Sequence, residues 1–263
     1  PKVFANDVAL GFIVMEDLGH RTYLPALDES HVEDLYGEAM EALLSMQQHS
    51  HCDGLPPYNG NCLIEEMELM PRWFLQQHLG FKPACEDWDR LEEAFRHLAQ
   101  SALAQPQVFV HRDFHSRNLL ITEQRSPGII DFQDALQGPV TYDLVSLLKD
   151  CYVSWPRDRV LGWLETYYRK LRLAKRLPND WNLSNFQRAF DHMGLQRHLK
   201  VLGIFCRLAY RDGKTSYLAD LPRVFEYVLE VAHHDSVFRD LATLLQRAVG
   251  NRDLRTRQLC AVP

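Results

Sequence analysis

The sequence predicts an α+β protein that is mostly helical and contains few strands. Apolar residues recur three and four positions apart in residues 29–49 and through most of the chain after Pro139, a spacing typical of amphipathic helices. Short runs typical of strands occur only near the N-terminus and around residues 108–131. The 263 residues contain no internal repeat and no long linker after residue 50, so we expect one large domain to hold most of them.

Composition and charge narrow the class of protein. Hydrophobic residues make up 46% of the chain and charged residues 24%, which is typical of a globular protein. The net charge of −6 indicates neither a nucleic-acid partner nor an anionic membrane surface, and no apolar run approaches the roughly 18 residues of a membrane span. The six cysteines are far apart, without a Cys-x-x-Cys pair. We therefore expect a cytoplasmic protein with reduced thiols.

The first 16 residues predict a β-hairpin. Its first strand begins at Lys2, and its turn is expected at Asn6 and Asp7. The second strand is predicted from Val8 to Met15, because this segment is rich in β-branched and apolar residues.

Helical and strand patterns follow in three groups. Amphipathic spacing predicts helices at residues 29–49, 63–79 (ended by Gly80) and 87–103, with a loop at residues 52–61. Short strands are then predicted at residues 108–110, 119–122 and 128–131, with a turn between the last two. The remainder is helical in pattern, at residues 140–153, 157–173, 184–198, 200–210, 221–232 and 236–248.

Two polar residues are expected to meet at the open end of the second hairpin. If strands 119–122 and 128–131 pair around residues 124 and 125, Asn118 falls opposite Asp131. Opposite residues of an antiparallel pair lie about 5 Å apart at Cα, so an amide oxygen and a carboxylate converge there. This pair suits Mg²⁺, which usually takes one or two protein ligands and completes its shell with water and substrate phosphates.

Asp113 precedes Asn118 by five residues, on the loop that leads into the same hairpin. A carboxylate at this place can take a proton from a hydroxyl that attacks a phosphate. Phosphoryl transfer needs an oriented nucleophile, a base and cations on the transferring phosphates, and little covalent chemistry from the protein. The three residues together therefore predict a phosphotransferase that uses Mg²⁺.

The chain contains the pattern His-x-Asp, followed by four residues and then Asn, with Ile-Asp-Phe about 13 residues later. This pattern resembles that of the aminoglycoside phosphotransferase family, a branch of the protein-kinase-like fold. Within that family the chain is similar to the bacterial kinases of cell-wall recycling that phosphorylate the anomeric hydroxyl of N-acetylmuramate and N-acetylglucosamine. The segments that carry this closer similarity are residues 15–24, 68–80, 110–120, 131–150 and 197–208. The resemblance covers nearly the whole chain and implies ATP and a small amino sugar as substrates. We expect the protein to be a monomer.

The resemblance also implies roles for individual residues. Asp113 would be the catalytic base, Asn118 and Asp131 the Mg²⁺ ligands, and Asp143 a brace for the catalytic loop. A position in the first turn of a helix explains Asp143 equally well through the helix dipole.

The nucleotide site implied by the resemblance lies near the N-terminus. Met15 would stand at the back of the pocket, and Glu16 and Leu18 would form the hinge, whose backbone carbonyl and N–H bind adenine.

Other polar residues near the loop have both a functional and a structural explanation. His111 is expected to hold the loop. Candidates for binding the acceptor sugar are His115, Arg117, Gln133 and Asp134, for which the structural alternative is a role in a salt bridge or a helix cap. A hydrolase metal site at His111, Asp113 and His115 is an alternative that leaves Asn118 and Asp131 unexplained. Further candidates for the sugar pocket, which a solvated helix end explains as well, are Arg207, Tyr210 and Asp212.

One part of the family pattern is missing ahead of the hinge. A glycine-rich loop and a strand lysine paired with a helix glutamate are expected there, and this chain has only Lys2. We expect residues 1–18 to be the remnant of a nucleotide lobe and residues 19–263 to be a helical C-terminal lobe, with the 263-residue chain alone inactive or nearly so. Two explanations of the missing part remain open: the lobe is truncated in this sequence, or the protein is a catalytically dead binding protein. Another kinase of the aminoglycoside or choline type also remains open as the function.

Overall fold

The architecture is mostly helical with few strands, as the periodicity predicts. A computed structural model describes residues 1–123 and 126–257 of the chain. The helices are α1 (Val32–His49), α2 (Gly60–Met67), α3 (Cys85–Leu103), α4 (Tyr142–Leu148), α5 (Arg157–Leu173), α6 (Leu183–Tyr210), α7 (Leu221–His234) and α8 (Arg239–Val249). Shorter 3₁₀ segments are Leu24–Ala26, Thr215–Asp220 and Ser236–Phe238, and a π-type helix spans Met70–His78.

The described strands form three separate antiparallel pairs. The strands are β1 (Val3–Asp7), β2 (Phe12–Met15), β3 (Gln107–Val110), β4 (Leu119–Leu120), β5 (Gly128–Ile129) and β6 (Leu136–Pro139). β1 pairs with β2, β3 with β6, and β4 with β5. The predicted catalytic segment, residues 111–118, connects β3 to β4, so the β3–β6 pair holds one end of it and the β4–β5 pair holds the other.

The N-terminal hairpin is present, but its turn is not at Asn6 and Asp7. Both of these residues belong to β1, and the chain reverses at residues 8–11. The Asp7 carboxylate accepts a hydrogen bond from the Leu10 N–H at 3.0 Å, and Gly11 has a φ of 71°, which glycine adopts without strain. Every residue of β1 and β2 is exposed, so their apolar character does not mark a buried sheet.

β6 is a strand that the sequence pattern does not predict. It contains Gly138 and Pro139, which have low strand propensity. It forms because it pairs with β3 over its whole length, from Gln107 opposite Pro139 to Val110 opposite Leu136. The helix predicted at residues 140–153 is correspondingly shorter, as α4.

Two helix predictions are wrong in continuity. The helix predicted at residues 63–79 is α2 followed by the π-type segment, because Pro71 has no N–H to donate and interrupts the α-helical hydrogen bonding. The two helices predicted at residues 184–198 and 200–210 are one helix, α6. Every residue of α6 from His192 to Gly203 is buried, so this stretch has no exposed face to give an amphipathic period.

α6 separates two apolar cores. One core contains buried residues of α6, α3, α7, α8 and the π-type segment, and the other contains buried residues of α6, α1, α4, α5 and the strands β3, β4 and β6. Among the described residues no helix is long and apolar enough to cross a membrane. The described cysteines are free thiols, as expected; they are Cys52, Cys62, Cys85, Cys151 and Cys206.

Close packing of α6 on the π-type segment depends on Gly203. A Cβ atom at this position would lie 2.4 Å from the carbonyl carbon of Leu69 and 2.6 Å from its oxygen, both backbone atoms that cannot rotate away. Gly203→Ala is therefore expected to lower the free energy of unfolding by about 1–3 kcal/mol, because the helices must separate.

Urea unfolding measures this effect, and Gly162→Ala is the matched control. Gly162 also lies in a helix, α5, but nothing is within 4 Å of its added Cβ. The control is expected to stabilise the protein by about 0.5–1 kcal/mol through helix propensity. Equal effects at the two positions would contradict the role of Gly203.

Candidate active site

The loop between β3 and β4, residues 111–118, is anchored on a buried carboxylate. Asp143, in the first turn of α4, accepts the His111 N–H at 2.7 Å and the Arg112 N–H at 3.0 Å, one on each oxygen. The pairing of β3 with β6 brings this helix under the loop. Arg112 has a φ of 76°, an unfavourable value for a side chain, which the two hydrogen bonds help to hold. The geometry agrees with a bracing role for Asp143.

The environment of Asp143 acts on its protonation in two directions. Complete burial raises its pKa to about 7, while the two N–H donors and the Arg197 guanidinium favour the ionised form. Stability contributed by this group is therefore linked to pH across a window from about 4 to about 7.

Asp143→Asn, which cannot titrate, tests this linkage. A folded-state pKa raised from 3.8 to about 7 makes the folded protein bind the proton more tightly, so the contribution is fully present below about pH 4 and is lost as the pH rises through 7. The variant is expected to have a free energy of unfolding lower by about 1–3 kcal/mol at every pH, because Asn has one hydrogen-bond acceptor fewer. Relative to wild type, the variant is expected to gain up to about 4 kcal/mol as the pH rises across the window, because only wild type loses the contribution of Asp143. Urea unfolding at pH 4.5 and 7.5 measures the gain. A gap that does not change with pH would mean that the donors keep Asp143 ionised throughout.

Asn118 and Asp131 meet, as the predicted hairpin requires, although the register is different by one residue. Leu119 lies opposite Ile129 in the β4–β5 pair, so Asn118 is opposite Ile130, whose N–H donates to the Asn118 carbonyl at 3.1 Å. Asp131 has a φ of 68°, which turns the chain out of the strand direction. The Asn118 Nδ2 group donates to Asp131 Oδ2 at 3.2 Å, so the two side chains still converge. The predicted turn at residues 124 and 125 lies outside the described residues.

Asn118 also ties the hairpin to the loop. Its Nδ2 group donates to the Asp113 carbonyl at 3.0 Å, and the other Asp131 oxygen accepts from Gln133 Nε2 at 2.7 Å. The carboxylate of Asp131 is exposed. A carboxylate and an amide oxygen on two adjacent strands fit Mg²⁺, which needs only one or two such ligands from the protein.

The alternative metal site at His111, Asp113 and His115 is not supported. Within residues 1–123 and 126–257 no three His, Cys, Asp or Glu side chains are grouped closely enough to hold a metal ion. The His111 ring is buried edge-to-face against Phe114, and burial lowers its pKa against the opposing effect of Asp113 and Asp131. Burial also lowers the pKa of His115. Both rings therefore favour the neutral form at pH 7, and the role of His111 in holding the loop stays a prediction.

A second buried carboxylate, Asp150, holds the far end of the loop. Its Oδ2 accepts from the Ser116 N–H at 3.0 Å and from the Ser116 hydroxyl at 2.5 Å, and its Oδ1 accepts from the Tyr152 N–H at 3.1 Å. The Arg117 guanidinium lies over the Tyr152 ring, 3.5 Å from its centroid, and the His115 ring meets Tyr152 edge-on. Sequence reasoning did not single out Asp150 or Tyr152, since nothing in one sequence distinguishes them from other residues near a helix end.

A network of buried charges supports Arg112 from below. Its guanidinium pairs with Glu66 of α2, which also accepts from Lys200 of α6 at 2.9 Å. Burial acts to raise the pKa of Glu66, but Lys200 and Arg112 together hold it below its usual range. Arg197, which lies one turn before Lys200 in α6, donates to the Arg112 carbonyl at 3.2 Å. The loop backbone is therefore fixed by α2, α4 and α6 together.

A cavity of about 450 Å³ lies between the segment after β2 and the β4–β5 hairpin. Glu16 and Leu18 line it, together with Thr122, Gly128 and Ile129. Leu18 approaches β5 so closely that a Cβ on Gly128 would lie 2.9 Å from the Leu18 side chain. Met15, expected at the back of this pocket, is 42% exposed and is not one of its lining residues.

The remaining candidates for the sugar pocket lie beyond Asp131 and at the end of α6. Gln133 and Asp134 are exposed beyond Asp131, on the open side of the hairpin. Tyr210 is hydrogen-bonded to His78 at 3.0 Å, and Asp212 forms an ion pair with its neighbour Arg211. These two contacts favour the structural explanation of the end of α6.

Comparison of the sequence with known families and proteins gives matches over most of the chain. The profile of the phosphotransferase enzyme family (APH) matches residues 1–181. An N-acetylmuramate/N-acetylglucosamine kinase of Pseudomonas aeruginosa is 43% identical over 245 residues, covering 93% of this chain and 72% of that protein. The kinase of the same name from Neisseria meningitidis is 40% identical over 260 residues, covering 97% of this chain and 77% of that protein.

Solved structures with a similar fold are kinases of small alcohols and aminoglycosides. A choline/ethanolamine kinase family protein from Mesorhizobium loti superposes with a TM-score of 0.57 at 12% identity, covering 94% of this chain and 77% of that one. A gentamicin–APH(2")-IIa complex superposes with a TM-score of 0.53 at 13% identity, covering 87% and 71%. At these identities the likeness concerns the fold alone, which is kinase-like.

Proposed function

The chain belongs to the phosphotransferase enzyme family, and we propose that the protein transfers a phosphoryl group from ATP to the anomeric hydroxyl of N-acetylmuramate or N-acetylglucosamine. The products are the sugar 1-phosphate and ADP. The observation that carries the chemistry is the double contact of Asn118, which joins the backbone of Asp113 to the carboxylate of Asp131. The choice of sugar is supported by the 40–43% identity to kinases with that name.

In this proposal each residue of the site has one task. Asp113 accepts a hydrogen bond from the anomeric hydroxyl, directs it towards the terminal phosphate and takes its proton as the new bond to phosphorus forms. Asn118 and Asp131 hold Mg²⁺, which when bound neutralises charge on the ATP phosphates. Asp143 keeps the loop backbone in place, so that no reorganisation is needed at the moment of transfer.

The nucleotide is proposed to bind in the cavity beside the hinge. Glu16 and Leu18 line this cavity, and the backbone carbonyl of Glu16 and the N–H of Leu18 would bind the edge of adenine. Residues 1–18 then belong to the nucleotide lobe and residues 19–263 to the helical lobe that carries the acceptor. We propose further that the protein acts as a cytoplasmic monomer in the recycling of cell-wall sugars.

An ATP-consumption assay on the full-length protein tests the proposal. With Mg²⁺ present, N-acetylmuramate, N-acetylglucosamine, kanamycin and choline are compared as acceptors at equal concentration. Turnover of the amino sugars with an acid-labile product, as expected of an anomeric phosphate, is the predicted result. Turnover of kanamycin or choline alone would keep the chemistry and replace the substrate, whereas turnover of none would favour a kinase-like binding protein.

A further inference from the structure

One cation in the catalytic loop is held in place without an ionic partner. Arg117 is exposed, and its guanidinium carbon lies 3.5 Å from the centroid of the Tyr152 ring. Among residues 1–123 and 126–257 no carboxylate forms an ion pair with it, whereas Arg112 of the same loop is paired with Glu66. A guanidinium stacked on a ring keeps its N–H edge available, and that edge matches the two oxygens of a carboxylate.

The position of this guanidinium is fixed by groups that are themselves buried. Arg117 lies in a turn in which the Asn118 N–H donates to the His115 carbonyl at 2.9 Å. The Asp150 carboxylate binds Ser116 in this turn and the backbone of Tyr152, so one group holds both the arginine's segment and its platform. Tyr152 is in turn stacked on Phe205 of α6 at 6.2 Å between ring centroids. Little side-chain freedom remains to be lost when an anion binds.

The turn also lies beside the reacting groups. It is bounded in the chain by Asp113 and Asn118, whose contact at 3.0 Å closes the loop. His115 stands between Asp113 and Arg117 and meets the same Tyr152 ring edge-on at 5.6 Å. Asp113 and Arg117 therefore lie four residues apart in one closed loop, which allows a single acceptor to contact both.

We propose that Arg117 binds the carboxylate of the acceptor and makes the site selective for N-acetylmuramate over N-acetylglucosamine. This inference rests on the proposed function. The two sugars differ by one group, the lactyl ether on the third ring carbon of N-acetylmuramate, which carries its only carboxylate. An unpaired arginine fork beside the base distinguishes the two sugars by charge. The same fork could instead bind a phosphate of ATP, and the experiment separates these two sources of negative charge.

The test is the ratio of kcat/KM for the two sugars in Arg117→Gln and Arg117→Lys. Loss of a charge-assisted, two-point hydrogen bond is expected to reduce kcat/KM for N-acetylmuramate about tenfold or more relative to N-acetylglucosamine, chiefly through KM. The lysine variant keeps the charge but not the fork and is expected to recover only part of the loss. Tyr152→Leu, which removes the platform, should reduce the ratio in the same direction, and Tyr152→Phe should preserve it.

Arg211→Gln is the matched control, because Arg211 is exposed but pairs with Asp212 at the end of α6. Equal losses for both sugars with a raised KM for ATP would assign Arg117 to the nucleotide phosphates and overturn the proposal. An unchanged ratio in a folded variant would overturn it as well. Wild-type protein that phosphorylates neither sugar would instead refute the proposed function, so the two failures are distinguishable.

Discussion

Asp113→Asn is expected to lower kcat by about 10²- to 10⁴-fold and to leave the affinity for ATP nearly unchanged. The asparagine keeps the size of the side chain and can still hydrogen-bond to the sugar, but it cannot take the proton. The Asp113 carbonyl, which accepts from Asn118, is unaffected by this change. The fold of the loop is therefore preserved while the base is removed.

Single-turnover kinetics with the better acceptor measures this loss, and a fluorescent ATP analogue reports nucleotide affinity in the same samples. Asp89→Asn is a matched control, because Asp89 is an exposed aspartate on α3 outside the site. A variant at position 113 that retains more than about a tenth of the wild-type rate would exclude Asp113 as the base.

Asp131→Ala is expected to reduce turnover by about 10²-fold or more and, unlike Asp113→Asn, to weaken the binding of Mg²⁺ and ATP together. Asp131 supplies the only full negative charge of the proposed ligand pair, and Asn118 and Gln133 orient both of its oxygens. Removing it leaves an amide that binds a divalent cation weakly. The Mg²⁺ concentration for half-maximal rate should therefore rise at fixed ATP.

A titration with Mg²⁺ at several ATP concentrations distinguishes the two aspartates. Asp131→Asn is the comparator, since it keeps the hydrogen bonds of the site and loses only the charge. If both Asp113→Asn and Asp131→Ala lost nucleotide binding to the same extent, the division into base and metal ligand would be wrong.

The convergence of Asn118 and Asp131 could be predicted because a hairpin constrains which residues lie opposite each other. The exact register could not, since it depends on the positive φ of Asp131, which departs from the strand geometry that pairing rules assume. Asn118 and Asp131 therefore meet through a positive φ that the residue types alone do not indicate. The error of one residue in the register does not change the predicted site, because the side chains of Asn118 and Asp131 still come within hydrogen-bond distance of each other.

The parts that the sequence did not reveal depend on tertiary contacts. β6 contains glycine and proline and becomes a strand only because β3 is beside it. The middle of α6 lost its periodicity because it is surrounded by protein on every side, so a continuous helix was divided in two by the prediction. Asp150 and Tyr152 lie some 35 residues beyond the loop that they support, and a single sequence gives no sign of that contact.

The hydrogen bonds of Asp150 have a consequence for how this site can change during evolution. One carboxylate positions both the turn that carries Arg117 and the ring on which Arg117 lies. Substitutions at positions 117, 150 and 152 should therefore be epistatic, so that the effect of each depends on which residues occupy the other two. If a descendant no longer used the charged sugar, Arg117 would lose its proposed role, while Asp150 would still hold the loop through its hydrogen bonds with Ser116 and the backbone of Tyr152. Under the proposed role of Arg117, selectivity for the acceptor would therefore depend on these three residues together rather than on any one of them alone.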